Sequence, residues 1–283
     1  MNRSDEIKAF LSDRRASITP EQAGLPNFGM HRRVKGLRRE EVALLAGVSA
    51  EYYTKLERGN LAGASDSVLG SLATALKLSD DERSYLYTLA RNQSGSKVIR
   101  RTAPPLTIRP NLQLIIDQMD VPVYVRNTRL DVLGSNLLAR ALLPWLTDTI
   151  AQPLNIARYV FLDPDAKAFF VEWPKAASDA VTMLRVQAAR DPFDRSLTEL
   201  IGELSTQSLE FRQLWASHKI GRSQIGQKSF NHPLVGQVNL NYQALNVADD
   251  LNLVMLVYNA AADSPEREKL QILKSHALAT LAG

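Results

Sequence analysis

The sequence predicts two domains of different class. An all-α domain of five helices spans residues 1–93, and beyond a linker at 94–110 an α+β domain with an antiparallel sheet spans 111–283. Three observations predict this. A chain of 283 residues is long enough for two domains of ordinary size, each with its own core. Apolar residues recur at helical spacing through the first third, whereas Asn239-Leu240-Asn241-Tyr242-Gln243-Ala244-Leu245 alternates as a half-covered strand does. Charge divides the same way: residues 1–101 hold 17 Lys and Arg against 12 Asp and Glu, residues 102–283 hold 17 against 18.

The first helix runs from Asp5 to Ser17, with Ile7, Phe10 and Leu11 on related faces. Thr19-Pro20-Glu21, Gly24, Pro26 and Gly29 keep the next stretch irregular. In His31-Arg32-Arg33-Val34-Lys35-Gly36-Leu37-Arg38-Arg39, five of nine residues are Lys or Arg. Good helix formers follow from Glu40 to Ala46, with Val42, Leu45 and Ala46 giving one apolar face. Gly47 stands where a helix C-terminus wants a residue tolerant of positive φ, and Ser49 can cap the next helix. Val48, Tyr53 and Leu56 are its inner side, and Gly59 closes it. Ser65 caps a helix through Lys77, and Ser79-Asp80-Asp81-Glu82 is a capping box opening the fifth.

The pair around Gly47 has the layout of a helix-turn-helix, whose second helix enters the major groove while the first crosses the phosphates. Arg32, Arg33, Arg38 and Arg39 are then expected at phosphates, and Ser49, Ala50, Glu51, Thr54 and Lys55 at bases or their sugars; Arg58 could do either. The positive excess of this half suits phosphate neutralisation and predicts salt-sensitive binding.

Gln93 to Pro110, punctuated by Ser, Gly and Pro104-Pro105, reads as the linker. Beyond it, a helix is expected over Asn111–Met119 and two strands over Val121–Asn127 and Leu130–Asn136. Helical segments follow at Leu137–Leu146, Asn155–Phe161, Ala166–Arg190 (with a restart at Pro174), Ser196–Thr206 and Leu209–His218. Strands at Ile225–Asn231, Gly236–Asn246 and Leu251–Tyr258 and a helix from Pro265 to Leu281 complete the domain. That last helix could lie on the core or mediate dimerisation.

Composition excludes several functions. With no cysteine there is no disulfide, thiolate metal site or cysteine nucleophile. The four histidines have no i, i+4 pair and no HExxH, so no metal is expected and no cofactor is required. There is no GxSxG, GxGxxG or Walker-type loop, so the protein is not expected to be an enzyme. The polar N-terminus is not expected to be a signal peptide, and the apolar run at 251–262 is too short to span a bilayer; no membrane partner is expected, and the location is expected to be cytoplasmic.

Around Gly36-Leu37-Arg38-Arg39-Glu40-Glu41-Val42-Ala43, Gly47-Val48-Ser49, Tyr52-Tyr53 and Leu56-Glu57-Arg58-Gly59 the chain resembles the XRE type of helix-turn-helix regulator, with a lambda-repressor-like domain. Arg109-Pro110-Asn111-Leu112-Gln113, Leu130-Asp131-Val132-Leu133, Phe161-Leu162-Asp163-Pro164, Phe211 to His218 and Phe230 to Gly236 are similar to successive signatures of the MmyB-like group. Gly134-Ser135-Asn136 departs from that pattern, which often has an aromatic before the Asn. The resemblance implies a PAS-like second domain and a small apolar ligand such as a fatty acid; a homodimer on a double-stranded DNA operator is expected because paired half-sites give such domains usable specificity. Expected lining residues are Tyr124, Val132, Trp145, Phe169, Phe170, Trp173, Met183, Phe211, Trp215, Tyr242 and Tyr258, with His218, Arg222 and His232 as polar anchors at the mouth. The alternative is a DNA-binding interaction or adaptor protein whose second domain is a solid-core dimerisation module without ligand.

Overall fold

The structure is a computed structural model that describes residues 3–25, 34–93, 107–146, 154–217, 225–248 and 250–282. The chain divides into two compact units. The first is built on α1 (Arg3–Ser17), α2 (Arg39–Ala46), α3 (Ala50–Glu57), α4 (Asp66–Ala75) and α5 (Asp80–Gln93). The second holds the sheet and most of its helices. Most of the expected linker falls outside the described residues.

The helices of the first unit start and stop where local chemistry directs. Ser49 accepts the Tyr52 N–H at 3.1 Å and caps α3; Ser65 accepts that of Val68 at 3.3 Å and caps α4. Ser79 and Glu82 exchange their capping bonds at 2.9 and 3.4 Å. Gly47 takes φ 66°, and the Val48 N–H reaches back to the Ala43 carbonyl at 3.0 Å, closing α2 as a Schellman turn does. The core is Ile7, Phe10 and Leu11 of α1, Val42, Ala43 and Ala46 of α2, Tyr53 and Leu56 of α3, and the inner faces of α4 and α5. One expectation fails here. Leu45 is 36% exposed, so Ala43 takes its place on the buried face, and α2 shows solvent both Leu44 and Leu45.

The second unit has a five-stranded antiparallel sheet, built from β1 (Val123–Asn127), β2 (Val132–Ser135), β3 (Ile225–His232), β4 (Gly236–Val247) and β5 (Asp250–Asn259) in the order β2-β1-β5-β4-β3. Between β2 and β3 come α7 (Leu137–Leu142), α8 (Ile156–Leu162), α9 (Ala166–Phe169), α10 (Trp173–Arg190), α11 (Arg195–Gln207) and α12 (Leu209–Ala216); α6 (Pro110–Asp117) precedes the sheet and α13 (Pro265–Ala282) follows it. No helix of the described residues is long and apolar enough to cross a membrane.

Three expected elements are shorter than their patterns. α7 stops at Leu142 because Pro144 pushes Leu143 out of the helical region, to φ −117° and ψ 82°. Over Ala166–Arg190 the expected restart at Pro174 is present, in the first turn of α10 where a missing N–H costs nothing, and the first piece ends at Phe169 because Phe170 turns extended and pairs with Phe230 of β3. β2 begins at Val132 and not at Leu130, whose φ of 71° places a fully buried leucine in the turn.

Alternation gives the sheet two faces. Val123, Val125 and Leu253 pack on Ile116 of α6, with Leu112, Met119 and Leu133 around them. The opposite face carries Tyr124 and Arg126 of β1, Val254, Leu256 and Tyr258 of β5, Tyr242 of β4, and Lys228 and Phe230 of β3. Asn136, buried at the end of β2, ties the first face together. Its Oδ1 accepts the N–H groups of Val123 and Ala139 at 3.1 and 2.9 Å, and its Nδ2 donates toward the carbonyls of Ile116, Met119 and Val121.

Candidate nucleic-acid interface and ligand site

The candidate recognition surface is local. Ala50, Glu51, Thr54, Lys55 and Arg58, all expected from the sequence, line one open groove along α3, together with Asn60. They meet there because positions i, i+1, i+4, i+5 and i+8 of a helix share a side, while Tyr53 and Leu56 turn inward. Sequence reasoning missed Asn60, which lies just past Gly59. Ser49 is exposed, but its hydroxyl is occupied as the cap, and Thr54 Oγ1 donates to the Ala50 carbonyl at 2.7 Å. Lys55 and Arg58 are therefore the long exposed cations of this groove. Arg38 is exposed at the start of α2, and its backbone N–H is held by Glu41 at 2.7 Å. Arg32 and Arg33 lie outside the described residues.

Arg39 has a second task that the sequence did not reveal. Glu57, at the end of α3, is 2% exposed and accepts from two arginines. Arg15 of α1 donates through Nε and Nη2 at 2.8 and 3.1 Å, and Arg39 of α2 through Nε and Nη2 at 3.1 and 2.9 Å. Arg15 also donates to the Leu37 carbonyl at 2.9 Å. One carboxylate thus fixes three helices and the approach to α2. Burial pushes the Glu57 carboxyl up, but the hydrogen bonds from Arg15 and Arg39 outweigh it and hold its pKa below the usual value. The Tyr53 hydroxyl beside it is pushed well above its usual pKa, first by burial and then by the Glu57 charge. Gly59 has its own reason: at φ 94° it lies so close to α1 that a Cβ would collide with the Ser4 backbone.

The ligand candidates fall into separate groups. Tyr124, Phe170, Tyr242 and Tyr258 come together through Phe230: Tyr258 contacts Phe230, Tyr124 and Tyr242 at 5.7, 6.3 and 6.3 Å between centroids, and Phe170 lies 5.9 Å from Phe230. Phe169 and Tyr159 extend this chain of rings to Trp145, which stacks on Tyr159 at 4.6 Å. Met183 of α10 meets Arg126, whose Nη2 lies 3.2 Å from its sulfur, and Val132 stands opposite Arg126 across β1 and β2. Trp173 and Phe211 instead flank Phe161, at 6.1 and 5.1 Å. The Trp173 N–H is committed to the Val160 carbonyl at 2.9 Å, and Lys167 covers its ring. Trp215 is half-buried on α12.

Among the polar anchors, His218 and Arg222 lie outside the described residues. His232 is corrected. Its Nε2 contacts the Ala141 carbonyl at 2.9 Å and its Nδ1 accepts the Leu234 N–H at 3.1 Å, so neither nitrogen is left for a ligand and the ring serves the β3–β4 turn. Burial lowers its pKa, the Ala141 bond raises it less, and His276 adds to the lowering. The polar residues that do reach the aromatic face carry no signal in the sequence. Arg126 is 4% exposed and adjoins Tyr124 and Tyr258, while the Lys228 ammonium lies 5.1 Å above the Tyr242 ring. A small cleft beside them is lined by Phe170, Glu172, Lys175, Ala176, Asp179, Gln227, Lys228, Ser229 and Tyr242.

A helix-turn-helix unit with an open groove along its second helix, followed by a sheet domain with an aromatic interior, has the layout of a two-domain regulator. Comparison with known families agrees. The model for a helix-turn-helix domain matches residues 27–86, and that of the MmyB-like transcription regulator ligand binding domain matches residues 108–273, more than half of the chain. The chain belongs to the MmyB-like transcription regulators. Its two domains are those of a DNA-binding transcription regulator with a ligand-binding domain. No curated protein matches it.

Proposed function

We propose that the protein is a cytoplasmic homodimer that lays α3 in the major groove of a double-stranded operator. On this reading Lys55 and Arg58 approach base edges or the flanking backbone, and Arg38 and Arg39 approach phosphates. The observation that carries the proposal is the groove along α3, where Ala50, Glu51, Thr54, Lys55, Arg58 and Asn60 converge from one helix and the turn after it. The second unit is a PAS-like sensor of a small apolar ligand such as a fatty acid, with no further cofactor and no catalysis; the strand order β2-β1-β5-β4-β3 with helices inserted after β2 supports the PAS-like reading. Regulation then requires that the ligand prefer one dimer geometry over another.

The test is selection of binding sites from a random DNA library, followed by salt titration of the selected duplex. Lys55→Ala is expected to lose preference for the selected site. Arg39→Ala is expected to weaken all DNA binding and to lower the salt slope by about 1. No selected site, or an Arg39→Ala protein with unchanged affinity and slope, would overturn the assignment.

A second reading keeps one specific observation in its favour: the aromatic residues of the interior form a continuous chain of ring contacts, stacked, tilted and edge-on, from Trp145 to Tyr124. That is how a solid-core dimerisation module would be built. Mass spectrometry of small molecules extracted from the purified full-length protein separates the two. A stoichiometric organic compound establishes the sensor; extracts that hold none favour the module.

A further inference from the structure

We infer that Asn60 is a further DNA contact, donating to a phosphate at the far end of the α3 groove, and that Gln93 of α5 is the positioning residue that holds it there. This deepens the reading of α3 as the recognition helix and rests on it. Asn60 lines the groove with Ala50, Glu51, Thr54, Lys55 and Arg58, yet it stands beyond the Arg58 C-cap, outside the helix. A recognition helix sets its N-terminal residues against base edges. Asn60 is at the opposite end of the row, where the sugar-phosphate backbone borders the major groove. Its side chain is exposed, and among the described residues its amide has no hydrogen-bond partner.

The backbone on either side of that amide is tied down. The Asn60 N–H donates to the Lys55 carbonyl at 3.3 Å. Gln93 Nε2 donates to the Gly59 carbonyl at 2.5 Å, and Gln93 Oε1 accepts the Leu61 N–H at 2.6 Å. The residue between those two bonds is Asn60. One acceptor and one donor of the loop are thus met by the donor and acceptor of a single planar amide, which no carboxylate, amine or hydrocarbon side chain reproduces. Leu61 is fully buried, so the loop is anchored inward as well. Ordering a surface loop on binding costs affinity, and a loop held beforehand avoids that cost. The Asn60 amide is short, neutral and a donor, so a phosphate bond from it adds affinity without releasing a counterion. In that it differs from Arg39, whose charge sets part of the salt slope.

The test measures affinity for the selected operator across a salt series, in the full-length protein, for Asn60→Ala, Gln93→Met and the double variant. Asn60→Ala is expected to bind roughly ten- to a hundredfold more weakly, the range for a hydrogen bond to a charged group, with an unchanged salt slope and the same site selected from the random library. Gln93→Met keeps the length of the side chain and removes the amide. It is expected to lose about as much, and the double variant no more than the larger single loss. A Gln93 that served stability alone would give losses that add. Denaturant unfolding is followed for every variant; Asn60 is exposed, so Asn60→Ala keeps the test open even where Gln93→Met unfolds. Wild-type affinity in Asn60→Ala, wild-type affinity in folded Gln93→Met, or additive losses would overturn the inference. So would loss of preference at one base position in Asn60→Ala, which would make Asn60 a base reader. Lys55→Ala separates the two readings: if it loses the site while Asn60→Ala binds normally, α3 remains the recognition helix and this inference falls. If neither variant changes binding, both fall.

Discussion

The two units present their chemistry in opposite ways. The first displays it: five candidate recognition residues stand on the outer side of α3 and its C-cap, and the interior behind them holds that helix in place. The second encloses it: the candidates Tyr124, Tyr242 and Tyr258 come from β1, β4 and β5 and share one covered sheet face, with Phe170 packed on Phe230 beside them. A displayed site is changed by a surface substitution at little cost in stability. An enclosed one cannot be altered without touching the packing. Each unit also has one buried polar residue on which its geometry depends, Glu57 in the first and Asn136 in the second, and they differ in kind. Glu57 is a charge that needs both of its arginines, whereas Asn136 is a neutral amide with backbone partners on every side.

The largest expected effect is on Glu57. Glu57→Ala leaves the Arg15 guanidinium, 15% exposed, beside an empty site. It is expected to lower the stability of the first unit by about 3 kcal/mol, the scale for breaking a buried pair from one side, and to weaken DNA binding with it. Denaturant unfolding followed through the first unit's transition checks this; a loss below about 1 kcal/mol would reduce the network to an ornament of packing. Asn136→Ala comes next, at about 2–3 kcal/mol for the second unit, because several backbone groups lose a buried partner together. It should leave the affinity for the selected operator unchanged, and a change there would break the division between the units. Third, Lys55→Ala and Arg58→Ala should each cost about 1–3 kcal/mol in operator binding while stability moves by no more than about 0.5 kcal/mol. Equal losses of stability and binding would show the α3 face to be structural.

The smallest effect concerns pH. The pKa of His232 is below its ordinary value of 6.5 in the folded chain, chiefly through burial. The unfolded chain therefore binds the proton first. The stability that the neutral ring contributes is present above pH 6.5 and is lost as pH falls through the folded value. His232→Gln, which cannot titrate, should flatten that part of the stability profile in a melting-temperature scan from neutral to acid pH; an unchanged profile would assign the acid loss to carboxylates.

Much of the first unit was legible because its signals are local. Ser49, Ser65 and the Ser79–Glu82 box cap the helices they precede, and Gly47 sits at the positive φ that its place predicts. Leu45 misled the periodicity because a helix eight residues long has too few turns to distinguish its inner face from the next position along. The role of Arg39 was half legible. Its position at the start of a helix pointed to phosphate, but its partner stands 18 residues away, and nothing in the spacing names Glu57. In the second unit the strands and helices were read to within a few residues, and the breaks at Leu143 and Phe170 came where prolines follow. Its site was read less well. Aromatics were chosen by type, and type does not separate Tyr242, on the shared sheet face, from Trp173, which sits against Val160 with its N–H occupied.

What the sequence alone determined is therefore what neighbouring residues decide among themselves: the caps, the turns, the alternation of the strands, the basic excess of the first hundred residues and the family to which the motifs belong. Tertiary structure alone decided which charges would be buried and what would stand beside them. Arg126 and Lys228 are 102 positions apart in the chain; the pairing of β1 with β5, β5 with β4 and β4 with β3 puts them on one face. The physical reason is range. Backbone conformation follows from contacts a few residues away, whereas the cost of a buried charge depends on every group that folding brings near it.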